Sequence, residues 1–520
     1  MYTKRENYLL YFVLVLLILT AILLPACNNS GSTSSQKLTI AIIPDPDSLD
    51  PFITREGPHS SIVYNNIFES LITGTPDGKR AAGLATSWEI SPDGKQIAFT
   101  LRQGVKFSNG DPVTVKDAEF SFNRGKAKSE TYQRNFASVD RFEAVDDYHF
   151  IIHFKMPDIS FIPNLGFPIE DKKYYDQVGE DEFTKNPIGT GPYKFVTWKT
   201  GEYIDLAANE NYWSAAPSVK SVRFKIVKED STRISMLKAG EADMIMDVPF
   251  SMVGEIQKSG FKTIRSEMGN GAQIQFQSQN PNVPWHDLKV RQAIAYATDD
   301  DSIVKNVLYG IPYRYATVAP WEMGYDPNLP PYPYDPAKAK QLLAEAGYPN
   351  GFETDFYYIT GAMVGFKETT EAVVNYLNAV GIKCKVQGIE IVTFLDKIRG
   401  QWHNKPDGVF IGITTTPMAH EPYGVSGALQ IYKSTMPLST YNNPDFDTIV
   451  NQVYSTMDEA KRSDLIKQAL RIKYDDVATI PLWSMVEVYG MKKNIDFTPT
   501  RGGPTSTLMM LVSNVKVNKD

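Results

Sequence analysis

The chain has 520 residues, 42% apolar and 22% charged, with a formal net charge of −7 at pH 7. That length supports two or more hydrophobic cores, and the balance of apolar and charged residues excludes a disordered chain. No clustered run of Lys and Arg is present, so a nucleic-acid-binding face is not expected.

The first stretch, MYTKRENYLLYFVLVLLILTAILLPAC, begins with Lys4 and Arg5 and continues as an apolar run from Leu9 to Ala26. As a helix that run is roughly 27 Å long, close to the bilayer core, which fits either a membrane anchor or a secretory signal. The LPAC at Leu24–Cys27, followed by the polar NNSGSTSSQ, resembles a bacterial lipobox. That resemblance implies a lipoprotein signal peptide over residues 1–26, lipidation of Cys27, and a flexible tether over residues 27–36. Cys384 is then the one remaining cysteine and forms no intramolecular disulfide; in IKCKVQGI it reads as a small strand residue.

The folded part opens with the alternating strand KLTIAII, then the loop PDPDSLDPF, then HSSIVYNNIFESLI with apolar residues at helical spacing. WEISPDGKQIAFTLRQGVKF reads as two strands about a Pro92-Asp93-Gly94 turn. Thr114 is expected to cap a helix, with Asp117 completing a variant capping box. YHFIIHFKM returns to strand. A second strand-rich block runs from GTGPYKFVTWKTGEYIDLAAN through VKSVRFKIV to a helix with Asp230 as N-cap and Gly240 as its closing glycine. From about Pro284 longer helices alternate with strands. One is DPAKAKQLLAEAGYP, with Asp335 as cap, Pro336 in the first turn and Gly347 past its end. SDLIKQALRIKYDDVA is another, and GIKCKVQGI and DGVFIGI are strands between them, an α/β alternation.

The order of several blocks resembles the family 5 extracellular solute-binding proteins of bacterial ABC importers, the oligopeptide-, dipeptide- and nickel-binding type. These blocks are SLDPF at 48–52, NNIFESLI at 65–72, GLATSWEISPDGKQIAFTLRQGVKFSNGDPVTVKDAEFSF at 83–122, NPIGTGPYKF at 186–195, LKAGEADMI at 237–245, LKVRQAIAYATD at 288–299 and YDPAKAKQLLAEAGYPNGF at 334–352. The resemblance implies an α/β, two-lobed periplasmic-binding-protein-like fold (type II) with an extra subdomain inserted in the first lobe. By that analogy residues 37–80, 187–283 and 484–520 form lobe 1, residues 81–186 its insert, and residues 284–483 lobe 2. It also implies capture of di- or oligopeptides in an interlobe cleft and delivery to ABC permease subunits with partner ATPase subunits. The chain itself contains no G-x-x-x-x-G-K-[ST] loop. The expected state is a monomer, extracytoplasmic and lipid-anchored to the bacterial cell membrane. Nickel chelates, opines or oligosaccharides are the alternative ligands, and a tethered sensor without transport is the alternative role.

Site residues follow from the same analogy. Peptide-binding members carry an acidic residue for the ligand's ammonium in a loop after a strand. The matching stretch here is TTTPMAHEPYG, which offers Thr414, Thr415, Thr416 and His420 as hydrogen-bonding groups and Glu421 as the nearest carboxylate. Near the N-terminus REGPHSS matches a ligand-pairing segment, with Glu56 and Gly57 as contacts. Trp285, Trp321, Trp402, Trp483 and Tyr489 are candidate cleft walls, Trp483 and Tyr489 favoured because they flank the return to lobe 1. No catalytic constellation is present. His149 and His153 are four apart on a strand without the Glu of H-E-x-x-H, and there is no C-x-x-C or G-x-S-x-G. Adjacent His420 and Glu421 make a poor metal site, so neither an enzyme nor a cofactor or metal is expected.

Overall fold

The first strand, β1 (Leu38–Ile42), is buried at almost every position because parallel neighbours flank it on both sides. The structure is a computed structural model. It describes residues 37–518 except for residue 44 and the segments 55–56, 76–79, 159–160, 162–166, 319–321, 361–363, 391–392, 394–410, 418–428, 437–438 and 501–509. The expectations for the leader, Cys27 and the tether therefore lie outside the described residues. Among the described residues no helix is long and apolar enough to cross a membrane.

After β1 a short ribbon, β2 (Ile72–Gly74) with β3 (Arg80–Ala82), leads into a separate antiparallel sheet. Its strands are β4 (Ala85–Ile90), β5 (Gln96–Leu101), β6 (Val139–Ala144) and β7 (His149–Phe154), in the order β4-β5-β7-β6. Then come β8 (Tyr193–Lys199), β9 (Tyr203–Ala208), β10 (Ser221–Ile226), β11 (Met244–Ile245) and the long β12 (Lys262–Phe276). The later strands are β13 (Phe352–Thr360), β14 (Ile382–Glu390), β15 (Ile411–Pro417) and β16 (Thr479–Met491), and a ribbon of β17 (Ile495–Phe497) with β18 (Val515–Val517) follows. Ten of these strands form one mixed sheet, β14-β13-β15-β12-β16-β11-β1-β10-β9-β8. The pairing makes it two half-sheets. β8 to β11 with β1 lie on one side, β13 to β15 on the other, and only β12 and β16 belong to both.

Local chemistry sets the element ends. Helix Val115–Lys128 starts where the Asp117 carboxylate accepts the Thr114 backbone N–H at 2.8 Å. Asp335 accepts the Lys338 N–H at 2.9 Å ahead of Pro336, as its cap-and-proline pattern implies. Helix Asp230–Ala239 closes on Gly240 at φ +79°, but its N-cap is Glu229 rather than Asp230. Asp230 is instead the first helical residue and pairs with Arg233 at 2.6 Å.

Three cores are present among the described residues. The largest lines the ten-stranded sheet. The second is rich in phenylalanine and sits under β4 to β7, where Phe99 and Phe142 stack on Phe150 with centroids 4.9 and 4.6 Å apart. The third joins helices Pro444–Ser455 and Glu459–Asp475 to Leu429, Tyr432 and Tyr441.

The loop after β1 is tied to the second core by buried charge. The Arg124 guanidinium donates to Asp50 at 2.5 and 3.0 Å and to both Glu170 oxygens at 2.9 and 3.0 Å. Burial, with the Asp50 charge beside it, pushes the Glu170 carboxyl well above the usual range, against the opposing pull of Arg124. Replacing the cation leaves two buried acids facing one another. Arg124→Met is expected to destabilise the fold by about 3–5 kcal/mol, read from urea unfolding at pH 7.

Glu69 forms a second tie. It accepts hydrogen bonds from Trp213 Nε1 at 2.7 Å, Thr190 Oγ1 at 3.0 Å and the Tyr212 hydroxyl at 3.1 Å, while Arg102 lies 4.2 Å over the Trp213 ring. Burial outweighs these donors and raises its pKa from 4.5 to about 7. The native state then holds this proton more tightly than the unfolded chain, so its contribution to stability falls as pH rises from 4.5 to about 7 and is level beyond. Glu69→Gln is expected to flatten the decline in melting temperature over that window. A decline equal to that of the parent protein means that Glu69 does not titrate there.

Candidate functional site

An antiparallel ladder bends most easily where its pairing fails. Between β12 and β16 it fails twice: Glu267 faces Val486 but Gly271 already faces Ser484, and Ala272 faces Trp483 but Gln273 faces Pro481. Pro481 has no N–H to give the ladder, which accounts for the second irregularity. Both breaks lie where the two half-sheets meet. The crossing from one half-sheet to the other falls at residues 267–271, since Asn270–Phe276 pair with β15.

A strap of chain covers the breaks. The Ser484 N–H donates to the Tyr313 carbonyl at 2.8 Å, and the Tyr313 N–H donates to Ser484 Oγ at 3.0 Å. Two residues on, Tyr315 lies against Gly271, where an added Cβ would fall 2.0 Å from its hydroxyl oxygen. Glu267, nearly buried, pairs with Arg265 at 3.1 Å. Burial first, then the Glu267 and Glu322 charges, raise the Tyr313 pKa, so this hydroxyl keeps its proton. Nearby, Glu487 on β16 accepts the Asp247 N–H at 2.5 Å, and burial beside Asp247 pushes its pKa well up. Asp247 adopts φ +54°, and Arg233 holds that turn by donating to the Met246 and Asp247 carbonyls at 3.2 and 3.0 Å. None of these buried acids is visible in the sequence, since each depends on which strand lies opposite.

The described site candidates fall on different elements. Thr414, Thr415 and Thr416 lie on β15, opposite Gln273, Ala272 and Gly271 of β12. β13 pairs with β15 only at Gly412 and Ile413. Among the described residues no strand pairs with the other edge of Thr414–Pro417. Gly57 opens the helix Gly57–Tyr64. Glu56, His420, Glu421, Trp321 and Trp402 lie outside the described residues.

Trp483 and Tyr489 are each 1% exposed and belong to the largest core. Trp483 donates its Nε1–H to Thr369 Oγ1 at 3.1 Å and packs edge-on against Phe250 and Phe366. Tyr489 packs against Phe497. Trp285 is equally buried and donates to the Gln277 carbonyl at 3.2 Å. Strand alternation gives an aromatic side chain two faces to choose from, and both faces of β16 are covered along its whole length.

Two half-sheets that share a broken pair of strands, with a third element packed on one of them, define the two-lobed periplasmic-binding-protein class. The description "Bacterial extracellular solute-binding proteins, family 5 Middle" matches residues 80–423. Heme-binding protein A of Haemophilus influenzae is 30% identical over 494 residues, 88% of each chain. Glutathione-binding protein GsiB of Pectobacterium atrosepticum is 30% identical over 440 residues, covering 81% of this chain and 83% of its own. Among solved structures, the periplasmic binding protein DppA of Helicobacter pylori in complex with the peptide STSA superposes with a TM-score of 0.78 at 26% identity. That match covers 93% of this chain and 98% of DppA. The chain belongs to the family 5 bacterial extracellular solute-binding proteins, the substrate-binding components of ABC importers. Members of this family bind a small molecule or peptide for transport, together with permease partners, and are not enzymes.

The fit of Tyr315 over Gly271 gives a local test. Gly271→Ala forces a buried ring to move and is expected to cost about 1–3 kcal/mol in urea unfolding. A cost near zero means that the strap does not sit on the break.

Proposed function

We propose that this protein captures short peptides or peptide-like molecules between its two lobes and hands them to an ABC permease. It is held at the outer face of the cell membrane through lipidated Cys27. The observation that carries this reading is that, among the described residues, one edge of Thr414–Pro417 at the end of β15 pairs with no strand. An extended ligand backbone can add to such an edge whatever its side chains, and specificity then falls to the surrounding pockets. Two of the relatives' named ligands share a peptide chemistry, STSA being a tetrapeptide and glutathione a peptide with a free amino group, whereas another relative is named for haem. In this reading Glu421 meets the ligand's ammonium, His420, Thr415 and Thr416 supply hydrogen bonds, and Glu56 and Gly57 lie on the opposite lobe. Trp483 and Tyr489 support the cleft from beneath.

The pairing of Asn270–Phe276 with β15 supports a lobe boundary at the break in β12, and the matching break in β16 supports a return to lobe 1 near residue 484. The insert over 81–186 is supported by its own sheet and its own aromatic core. A ligand that touches both lobes favours the closed form by its differential contacts, and the closed form is what the permease recognises.

A thermal-shift panel of dipeptides, longer peptides, glutathione, haem and nickel-histidine tests the proposal. A peptide or glutathione present at a hundred times its Kd is expected to stabilise the protein by about 2.7 kcal/mol. Glu421→Ala is expected to lower that affinity at least tenfold without lowering the ligand-free melting temperature. A shift with haem or nickel-histidine, and none with any peptide of about two to eight residues, overturns the peptide assignment.

A further inference from the structure

A buried polar ladder anchors the Thr414–Pro417 segment at Thr414. Gln273 and Gln275 are two apart on β12, so their side chains share one face. Thr414 Oγ1 donates to Gln275 Oε1 at 2.9 Å and accepts a longer bond from Gln273 Nε2 at 3.5 Å. Gln273 Nε2 also donates to the Tyr432 hydroxyl oxygen at 2.9 Å, and Gln275 Nε2 donates to Thr440 Oγ1 at 2.9 Å. Thr414 and Gln273 are each 1% exposed, and Thr440, Tyr432 and Gln275 are also buried. A site needing stability alone is served as well by β-branched apolar residues. A satisfied polar network adds selectivity for one arrangement.

The arrangement at stake is strand register. Threonine occupies 414, 415 and 416 in succession, so the sequence of β15 does not by itself choose which hydroxyl faces the glutamines. Two features decide it. The amides of Gln273 and Gln275 bracket one hydroxyl, and Gly412 must lie beside β13, where an added Cβ would sit 2.2 Å from the Tyr357 carbonyl oxygen. A slip of two residues would shift every donor and acceptor of the Thr414–Pro417 edge along by one repeat.

We infer that Gln273 and Gln275 are positioning residues of the binding site, acting through the Thr414 hydroxyl to hold the Thr414–Pro417 edge in register. Thr414 therefore faces the scaffold and not the ligand. The inference rests on the peptide reading above for its consequence in binding, but the register lock itself is measurable without any ligand.

The first measurement is amide hydrogen exchange on the ligand-free protein. Thr414→Val keeps the shape and removes the hydroxyl. It is expected to speed exchange at least tenfold across 411–417 and 271–276 while leaving β1 and β10 unchanged, and Thr414→Ser is expected to restore protection. Exchange unchanged in Thr414→Val overturns the lock, whatever the ligand proves to be. The second measurement is calorimetric titration with Ser-Thr-Ser-Ala and with glutathione. Thr414→Val and Gln275→Met are each expected to lower affinity about tenfold, and the double variant no further, because both break one unit. Loss of affinity in Thr414→Val with none in Gln275→Met makes the hydroxyl a direct ligand contact and overturns the positioning role. If the parent protein binds neither probe, the peptide reading fails, and the exchange result still decides the lock.

Discussion

Everything in this molecule is hung on two strands. β12 and β16 pair with each other along most of their length and are the members common to both half-sheets. A continuous antiparallel ladder resists bending because each rung would have to stretch, whereas a bulge leaves a residue outside the ladder and concentrates the flexing there. The breaks at Glu267/Gly271 and Ala272/Gln273 are therefore where relative motion of the lobes costs least. Their composition agrees: a glycine with no room for a Cβ, a proline with no N–H, and a tyrosine strap bonded to Ser484 across the gap. Hinge motion in a binding protein needs few residues to change conformation, provided the material on either side stays rigid.

Rigidity on either side comes from buried polar groups as well as from apolar packing. On one side Arg124 binds the loop after β1 to the aromatic core of the insert, and Glu69 gathers Trp213, Tyr212 and Thr190 around a single carboxyl. On the other, Gln273, Thr414, Gln275, Thr440 and Tyr432 close a network between the sheet and the third core. Such groups are costly when half satisfied and specific when complete. They link elements far apart in the chain, as with Asp50 to Arg124 and Gln275 to Thr440, so each fixes a tertiary relationship that hydrophobic contact leaves loose.

How much of this was legible in the sequence depends on range. Local signals held where the physics is local: Asp117 reaching back to Thr114, Asp335 ahead of Pro336, and Gly240 in the left-handed region all follow from neighbours within four residues. The fold class was legible because its blocks recur in a fixed order. The crossing at 267–271 was not, because a break in pairing is a property of β12 and β16 together, more than 200 residues apart in the chain. Trp483 and Tyr489 show the same limit. Their type suits a cleft wall, but only the layers packed on both faces of β16 determine that they are core. The three threonines were legible as a polar stretch. Which of them faces inward was hidden in the glutamines of another strand.

The two halves of the design bear on one another through free energy. A ligand closes the lobes only to the extent that it binds the closed form better than the open one, and ordering a loose site subtracts from that difference. On the proposed reading, the short edge of Thr414–Pro417 offers a ligand few backbone bonds, each worth about 0.5–1.5 kcal/mol net. If β15 were free to change register, a comparable amount would be lost in settling it, and closure would be weakly driven. Fixing the edge in advance, close to the hinge but on its rigid side, leaves the contact energy available for bending β12 and β16. On the proposed reading the polar ladder and the break belong together: the break makes motion easy, and the ladder keeps that motion from reaching the proposed binding edge.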